Sequence, residues 1–206
     1  PDRLVAVGER STPTKGGPVP AGVGKPVPAG AGKARMPWSP DAGDPQALAL
    51  VQPQNYLDWT VQQQVFESLA ATADGEFTLQ MPGAAPEDVV ALRVTASFFD
   101  VLRIRPAIGR VFTADSEVEG QHRVAILSDA LWRQRLDASP DVVGRTITLE
   151  GATYEVVGVM PEDFRGLGIG PPDYWAPLAL AGEFRQSYAG REVELPVDDV
   201  VGRLKP

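Results

Sequence analysis

The chain has 206 residues, 43% hydrophobic and 22% charged, with a formal net charge of −8. That is enough for one substantial domain or two small ones of ordinary globular composition, and its acidity sets nucleic acid aside as a partner. The absence of cysteine removes disulfides, thiolate zinc sites and thiol nucleophiles together, and no apolar run reaches the ~18 residues of a membrane span.

Opening on Pro1 and breaking off at Lys205-Pro206, the chain reads as a segment of a longer protein. Residues 11–45 hold eight Pro and seven Gly, fifteen of thirty-five positions, and contain a tandem repeat. Pro18-Val19-Pro20-Ala21-Gly22-Val23-Gly24-Lys25 is followed by Pro26-Val27-Pro28-Ala29-Gly30-Ala31-Gly32-Lys33. Proline removes donors and glycine favours the unfolded chain, so residues 1–50 are expected to be an extended leader or linker and residues 51–206 the folded domain. Charge divides the same way: residues 1–45 carry six Lys or Arg against four acids, the remainder thirteen against twenty-three.

Tyr56, Trp59, Phe66 and Leu69, with Leu57, Val61 and Val65, recur at helical spacing. They predict a helix capped by Asn55 and ended by Ala73-Asp74-Gly75. Phe77 and Leu79 then alternate with polar neighbours, residues 82–86 turn the chain, and residues 89–94 return, which predicts a strand pair. Thr95 or Ser97 caps a short helix with Phe98, Phe99, Val101 and Leu102, and Pro106 and Gly109 mark a loop. Val124-Ala125-Ile126-Leu127 reads as a buried strand. Ser128 caps a helix carrying Leu131, Trp132 and Leu136, which Ser139-Pro140 closes. Residues 145–150 and 153–160 form the clearest hairpin, turning at Gly151. Tyr174-Trp175 is a hydrophobic anchor after a Gly-rich loop, and residues 197–204 read as a last strand. Short helices with hairpins predict an α+β fold, mixed or antiparallel in its sheets, with a C-terminal β-hairpin.

No constellation rises to a catalytic, cofactor-binding or metal site. His122, the lone histidine, lies in a polar loop and is expected to be an exposed structural residue. Asp115-x-Glu117-x-Glu119-Gly120 imitates half a calcium loop, but the twelfth position is Ile126, so a solvated acidic loop is expected. Gly22-Val23-Gly24-Lys25 lacks the first Gly and the Ser or Thr of a phosphate loop. Gly166-x-Gly168-x-Gly170 lacks dinucleotide spacing. Glu87-Asp88, Glu162-Asp163 and Asp198-Asp199 are adjacent in sequence and diverge, so they read as surface acids. Arg103 and Arg105 read as surface ion-pair partners.

Several blocks resemble the MacB-like periplasmic core domain of bacterial ABC transporter permeases (FtsX/MacB-type). They are Asn55-Tyr56-Leu57-Asp58-Trp59; Phe66-Glu67-Ser68-Leu69-Ala70-Ala71; and Val94-Thr95-Ala96-Ser97-Phe98-Phe99-Asp100-Val101-Leu102 followed by Pro106-Ala107-Ile108-Gly109-Arg110-Val111-Phe112. Val124-Ala125-Ile126-Leu127-Ser128-Asp129-Ala130-Leu131-Trp132 and the hairpin from Val143-Gly144-Arg145 to Met160-Pro161 complete the set. Order and spacing agree from about Asn55 to Pro177, and the wording is most similar to the large duplicated acidobacterial permeases.

The resemblance implies a non-catalytic domain on the extracytoplasmic (periplasmic) face, inserted between the first two membrane helices. It further implies two α/β lobes, the membrane-proximal one incomplete here, a homodimer, and a cytoplasmic ATPase acting through the membrane helices. The domain would transmit motion and contact substrate or periplasmic partner proteins, with no cofactor and no active site. A ligand-binding or adhesion module of a secreted or surface protein is the alternative, and a hydrolase using scattered carboxylates a third reading.

Overall fold

A computed structural model of the chain describes residues 3–7, 9–10, 48–49, 51–81, 84–118, 120–167, 170–178, 185–188, 191–194 and 197–206. The Pro/Gly stretch at 11–45, with its repeat, lies outside the described residues, as do the Gly22–Lys25 segment and Gly168. Part of the expected leader does belong to the sheet: β1 (Leu4–Val7) pairs antiparallel with the last strand, while β2 (Glu9–Arg10) pairs with β3 (Leu48–Ala49).

The first helix, α1 (Pro53–Gln62), starts two residues before the expected Asn55 cap. Pro53 occupies its first turn, where a fixed φ is already helical and a missing N–H costs nothing, and Gln52 holds the cap position in extended conformation. The helix stops at Gln62, earlier than its apolar spacing predicts. Phe66 and Leu69 do not continue it; they open β4 (Phe66–Gln80), a 15-residue strand that also runs through Ala73-Asp74-Gly75. Leu, Glu and Ala are good helix formers, so local preference favours a helix here. Tertiary pairing overrides it. β4 is hydrogen-bonded to three other strands, and Ala70, Ala71 and Ala73 are buried.

The elements after β4 largely keep the expected order. They are β5 (Glu87–Val94), α2 (Phe98–Leu102), β6 (Ile108–Gly109), a 3-10 turn (Ala114–Glu117), β7 (Val124–Leu127), α3 (Asp129–Arg135), β8 (Thr146–Leu149) and β9 (Ala152–Val159). Then come β10 (Tyr174–Pro177), the β11 (Arg185–Tyr188) and β12 (Arg191–Glu194) hairpin, and β13 (Asp199–Leu204). The expected loop at Gly109 thus contains a two-residue strand against β9. The Tyr174-Trp175 anchor is a buried strand, parallel to β5 and antiparallel to β7. Ser128 caps α3 as expected, its Oγ accepting the Leu131 N–H at 3.1 Å.

Among the described residues, nine strands form one mixed sheet in the order β1-β13-β4-β5-β10-β7-β9-β6, with β8 pairing both β4 and β9. That double pairing closes six strands, β4-β5-β10-β7-β9-β8, into a ring. One face of all six meets in a single cluster: Leu79, Val89, Ala91, Tyr174, Ala176, Ala125, Leu127, Val156, Val159, Ile147 and Leu149, with Leu131 and Val142. This is the packing expected of a sheet closed on itself.

The outer face carries Leu92, Val94, Ile126, Val157 and Trp175, covered by Phe98, Phe99 and Val101 of α2 and by Phe112 and Met160. Phe99 is the hub, with ring centroids 5.3 Å from Phe98, 5.8 Å from Phe112, 6.2 Å from Trp175 and 6.4 Å from Phe164. A third cluster joins Leu69, Ala71 and Ala73 of β4 and Val200 of β13 to Tyr56 of α1, together with Val51, Leu178 and Val197.

Phe99→Ala should therefore cost about 3–5 kcal/mol in urea unfolding, because it opens a cavity under four aromatic rings. Trp132→Ala should cost less: Trp132 is only half-buried, and its Nε1 donates to the Ser139 carbonyl at 3.0 Å.

Candidate functional site

A strand that changes neighbours midway must find new partners for its backbone groups. β4 does so at Thr72, which pairs with Val94 of β5 on one side and Asp199 of β13 on the other. From Thr72 to Leu79 β4 belongs to the ring; from Phe66 to Thr72 it belongs to the β1-β13 extension. Each departing neighbour leaves β4 with open backbone groups, and side chains fill them.

On the β5 side the fill comes from Thr95 and Ser97. The Thr95 N–H donates to Ala71 O at 3.0 Å, and the Ala71 N–H donates back to Thr95 Oγ1 at 3.0 Å. Ser97 Oγ donates to Leu69 O at 2.7 Å and lies 3.1 Å from Thr95 Oγ1. Tyr56 Oη reaches Leu69 O at 3.3 Å and Thr95 Oγ1 at 3.4 Å, tying α1 to the same node. Burial, chiefly, pushes the Tyr56 phenol above its usual range, while its hydroxyl neighbours pull the other way. These residues read from sequence as a helix start; Ser97 does precede α2, but no side chain caps it.

On the β13 side the fill comes from Asp198. Its N–H donates to Thr72 O at 3.0 Å, and its Oδ2 accepts the Asp74 N–H at 3.0 Å. Asp198 is thus not a plain surface acid. Burial, then a hydrogen bond that the protonated Asp198 side chain donates to Asp74, push its carboxyl up to about 7. The two residues are 124 apart in sequence, so no local pattern could have paired them. Arg203 of β13 adds a third tie: it is buried, and its Nε donates to Val101 O of α2 at 2.7 Å.

The other residues singled out from sequence do not converge. His122 is buried at 6% exposure, not exposed as expected, with Nδ1 accepting the Gly120 N–H at 3.2 Å as the chain enters β7. The acidic loop is only partly solvated. Asp115 is exposed, but Glu117 is half-buried and accepts the Ala96 N–H at 2.7 Å; Glu119 is outside the described residues. Desolvation raises the Glu117 carboxyl, and the Ala96 hydrogen bond partly offsets it. Glu87 takes a two-pronged contact from Arg135, at 2.5 and 2.7 Å, which lowers its carboxyl. Asp88, Glu162 and Asp163 are exposed. Arg103 pairs with Glu67 and Arg105 with Asp100 at the surface. Among the described residues, no three His, Cys, Asp or Glu side chains gather as metal ligands.

An open groove runs between α2 and residues 105–114, lined by Ser97, Asp100, Arg105, Arg110 and Phe112. Its outer rim is fixed on β9: Ala107 N donates to Val159 O at 2.8 Å and Arg110 N to Val157 O at 2.9 Å. Gly109 sits at φ +79°, and a Cβ there would come 2.2 Å from Val157 O, so only glycine fits. Ser97, which lines this groove, has its hydroxyl bonded to Leu69 O and beside Thr95 Oγ1. What the residues do together is hold two parts of one sheet to a common strand.

Comparison with known proteins identifies the family and the fold. A family profile described as the MacB-like periplasmic core domain matches residues 20–206. Among solved structures, the chain is similar to the extracellular domain of the ABC-type transporter YknZ from Gram-positive bacteria. The two are 18% identical with a TM-score of 0.53, over 75% of this chain and 72% of that one. It is also similar to the periplasmic region of MacB from Actinobacillus actinomycetemcomitans, at 15% identity and a TM-score of 0.58, over 81% and 71%. At these identities the likeness is one of fold. Comparison with curated proteins gave no match.

Thr95→Val keeps the side-chain shape but leaves the buried Ala71 N–H without its acceptor. The expected loss is about 1–3 kcal/mol in urea unfolding, largely restored by Thr95→Ser.

Proposed function

The chain belongs to the MacB-like periplasmic core domain family, and on that premise we propose that it is the extracytoplasmic domain of an ABC transporter permease and works by passing movement. The observation that carries the reading is the family match over residues 20–206. The geometry supports it in mechanical terms. β1 and β13 lie side by side, with Leu204 N donating to Arg3 O at 2.9 Å, so the described chain enters and leaves the sheet at one place. A displacement applied there reaches β4 through the β13 ladder, and β4 continues without a break into the closed ring. Fifteen residues of strand span roughly 45–50 Å.

In this reading the chemistry lies elsewhere. A cytoplasmic ATPase drives the membrane helices of the parent, the permease works as a homodimer, and the ring lobe meets substrate or periplasmic partner proteins. The working division remains residues 1–50 as leader and 51–206 as core, with β1 returning from the leader to the sheet.

The test is deletion of residues 51–206 from the full-length parent, reconstituted with its ATPase in proteoliposomes. Transport should be lost, and ATP turnover should no longer respond to substrate. Transport and turnover both unchanged after deletion would count against the proposal.

A further inference from the structure

The place where β4 passes from the ring to the extension is held on one side by a pair of acids. Asp198 Oδ2 accepts the Asp74 N–H at 3.0 Å, which sets the Asp198 carboxyl beside the Asp74 side chain, where a protonated Asp198 can donate to it. Two ionised carboxylates cannot share a hydrogen bond, since neither has a proton to give. The contact exists only while one of them is protonated. When both ionise, like charges meet just where β13 joins β4.

We propose that Asp74 and Asp198 form a proton-controlled clasp that sets how firmly the start of β13 is held on β4. Among the described residues, the charges that act on Asp198 raise its carboxyl. Asp199 is the next residue on β13 and adds repulsion. Glu76 lies two residues further along β4, on the face Asp74 shares. On β5, Leu92 stands opposite Asp74, while Arg93 stands opposite Ala73 on the other face, 5.5 Å over the Phe77 ring. The segments beside Asp198, at Val51, Leu178 and Val197, are apolar and buried. The arrangement is therefore one an added proton tightens and a lost proton loosens. Its bearing on transport rests on the permease reading, in which β13 lies on the path of movement and the domain meets the pH of the medium.

Proton linkage gives the direction of the effect. Asp198 is raised from 3.8 to about 7 in the folded chain. A carboxyl that binds its proton more tightly when folded adds stability that is complete below about pH 4 and is lost as the pH rises to about 7. Asp198→Asn mimics the protonated state: its amide oxygen accepts the Asp74 N–H, and its amide nitrogen donates to the Asp74 carboxylate.

The experiment uses the whole chain. Melting temperature is followed from pH 4.5 to 8.5 for the wild type, Asp198→Asn and Asp74→Asn. Amide hydrogen exchange is read at pH 5 and pH 8 after correction for the intrinsic rate. Wild type and Asp198→Asn should melt alike near pH 4.5, with the wild type falling progressively below the variant up to about pH 7. Wild-type protection at Val200 and Val201 should drop roughly tenfold or more between the two exchange conditions, while the β8-β9 hairpin holds and Asp198→Asn keeps its β13 protection. Should Asp198→Asn fold poorly, Asp74→Asn should show the same flattening, because it removes the opposing charge.

Identical pH profiles in wild type and variants would overturn the proposal. So would parallel loss of protection in β13 and the hairpin, which marks a general charge effect. Stabilisation by millimolar Ca2+ or Mg2+ at pH 8, abolished in Asp198→Asn, would overturn it in favour of a cation site. None of these readouts involves transport, so their failure leaves the permease reading standing, and the converse holds too.

Discussion

The structure depends on one backbone constraint: β4 must change neighbours at Thr72 without leaving buried N–H and C=O groups unpaired. A buried amide without a partner costs on the order of 1–3 kcal/mol, a large share of a domain's net stability. The chain meets the constraint with side chains borrowed from the segments that leave. Thr95 and Ser97, just past the end of β5, serve Ala71 and Leu69; Asp198, just before β13, serves Asp74. β4 can then run straight through instead of breaking into two strands with a hinge between them.

That continuity gives the two parts of the sheet different characters. The ring is closed by β8, which bonds to β4 at Leu79 and Gln80 and to β9 along its length. Its interior is packed from six directions, and its outer wall is covered by α2 and the Phe99 hub. The β1-β13 extension is an open ladder, held to β4 on one side and to α2 through Arg203. Stiffness therefore concentrates in the ring and compliance in the extension, the order a domain needs if it is pulled at one end and acts at the other.

How much of this was legible from the residues varies with how local the causes are. The β8-β9 hairpin was, because strand formers flank a turn at Gly151. So was α3, because Ser128 and Asp129 mark its start. The run from Phe66 to Gly75 was not. Its Leu, Glu and Ala content favours a helix, and only pairing with β5 and with the distant β13 and β8 makes it a strand. β10 read as an anchor because Tyr174 and Trp175 are large and apolar, but its place between β5 and β7 is decided by parallel pairing across about eighty residues. His122 looked exposed because Gly120, Gln121 and Arg123 surround it; the fold buries it beside β7. The Thr95 node and the Asp74–Asp198 pair had no sequence signal, since each joins backbone to side chain across distant segments. The order of blocks that resembles the permease family was visible throughout, because it needs no knowledge of contacts.

Leu178 and Val197 bear on how such a chain can change over time. Both lie in the same buried cluster, one fastened to Val94 and the other to Val51, so the excursion between them begins and ends at neighbouring anchorages. Closing a longer excursion between fixed ends costs entropy only as the logarithm of its length, about 0.6 kcal/mol per doubling. Related chains can therefore enlarge, shrink or replace that excursion, even by a whole further module, without retuning the frame beneath it.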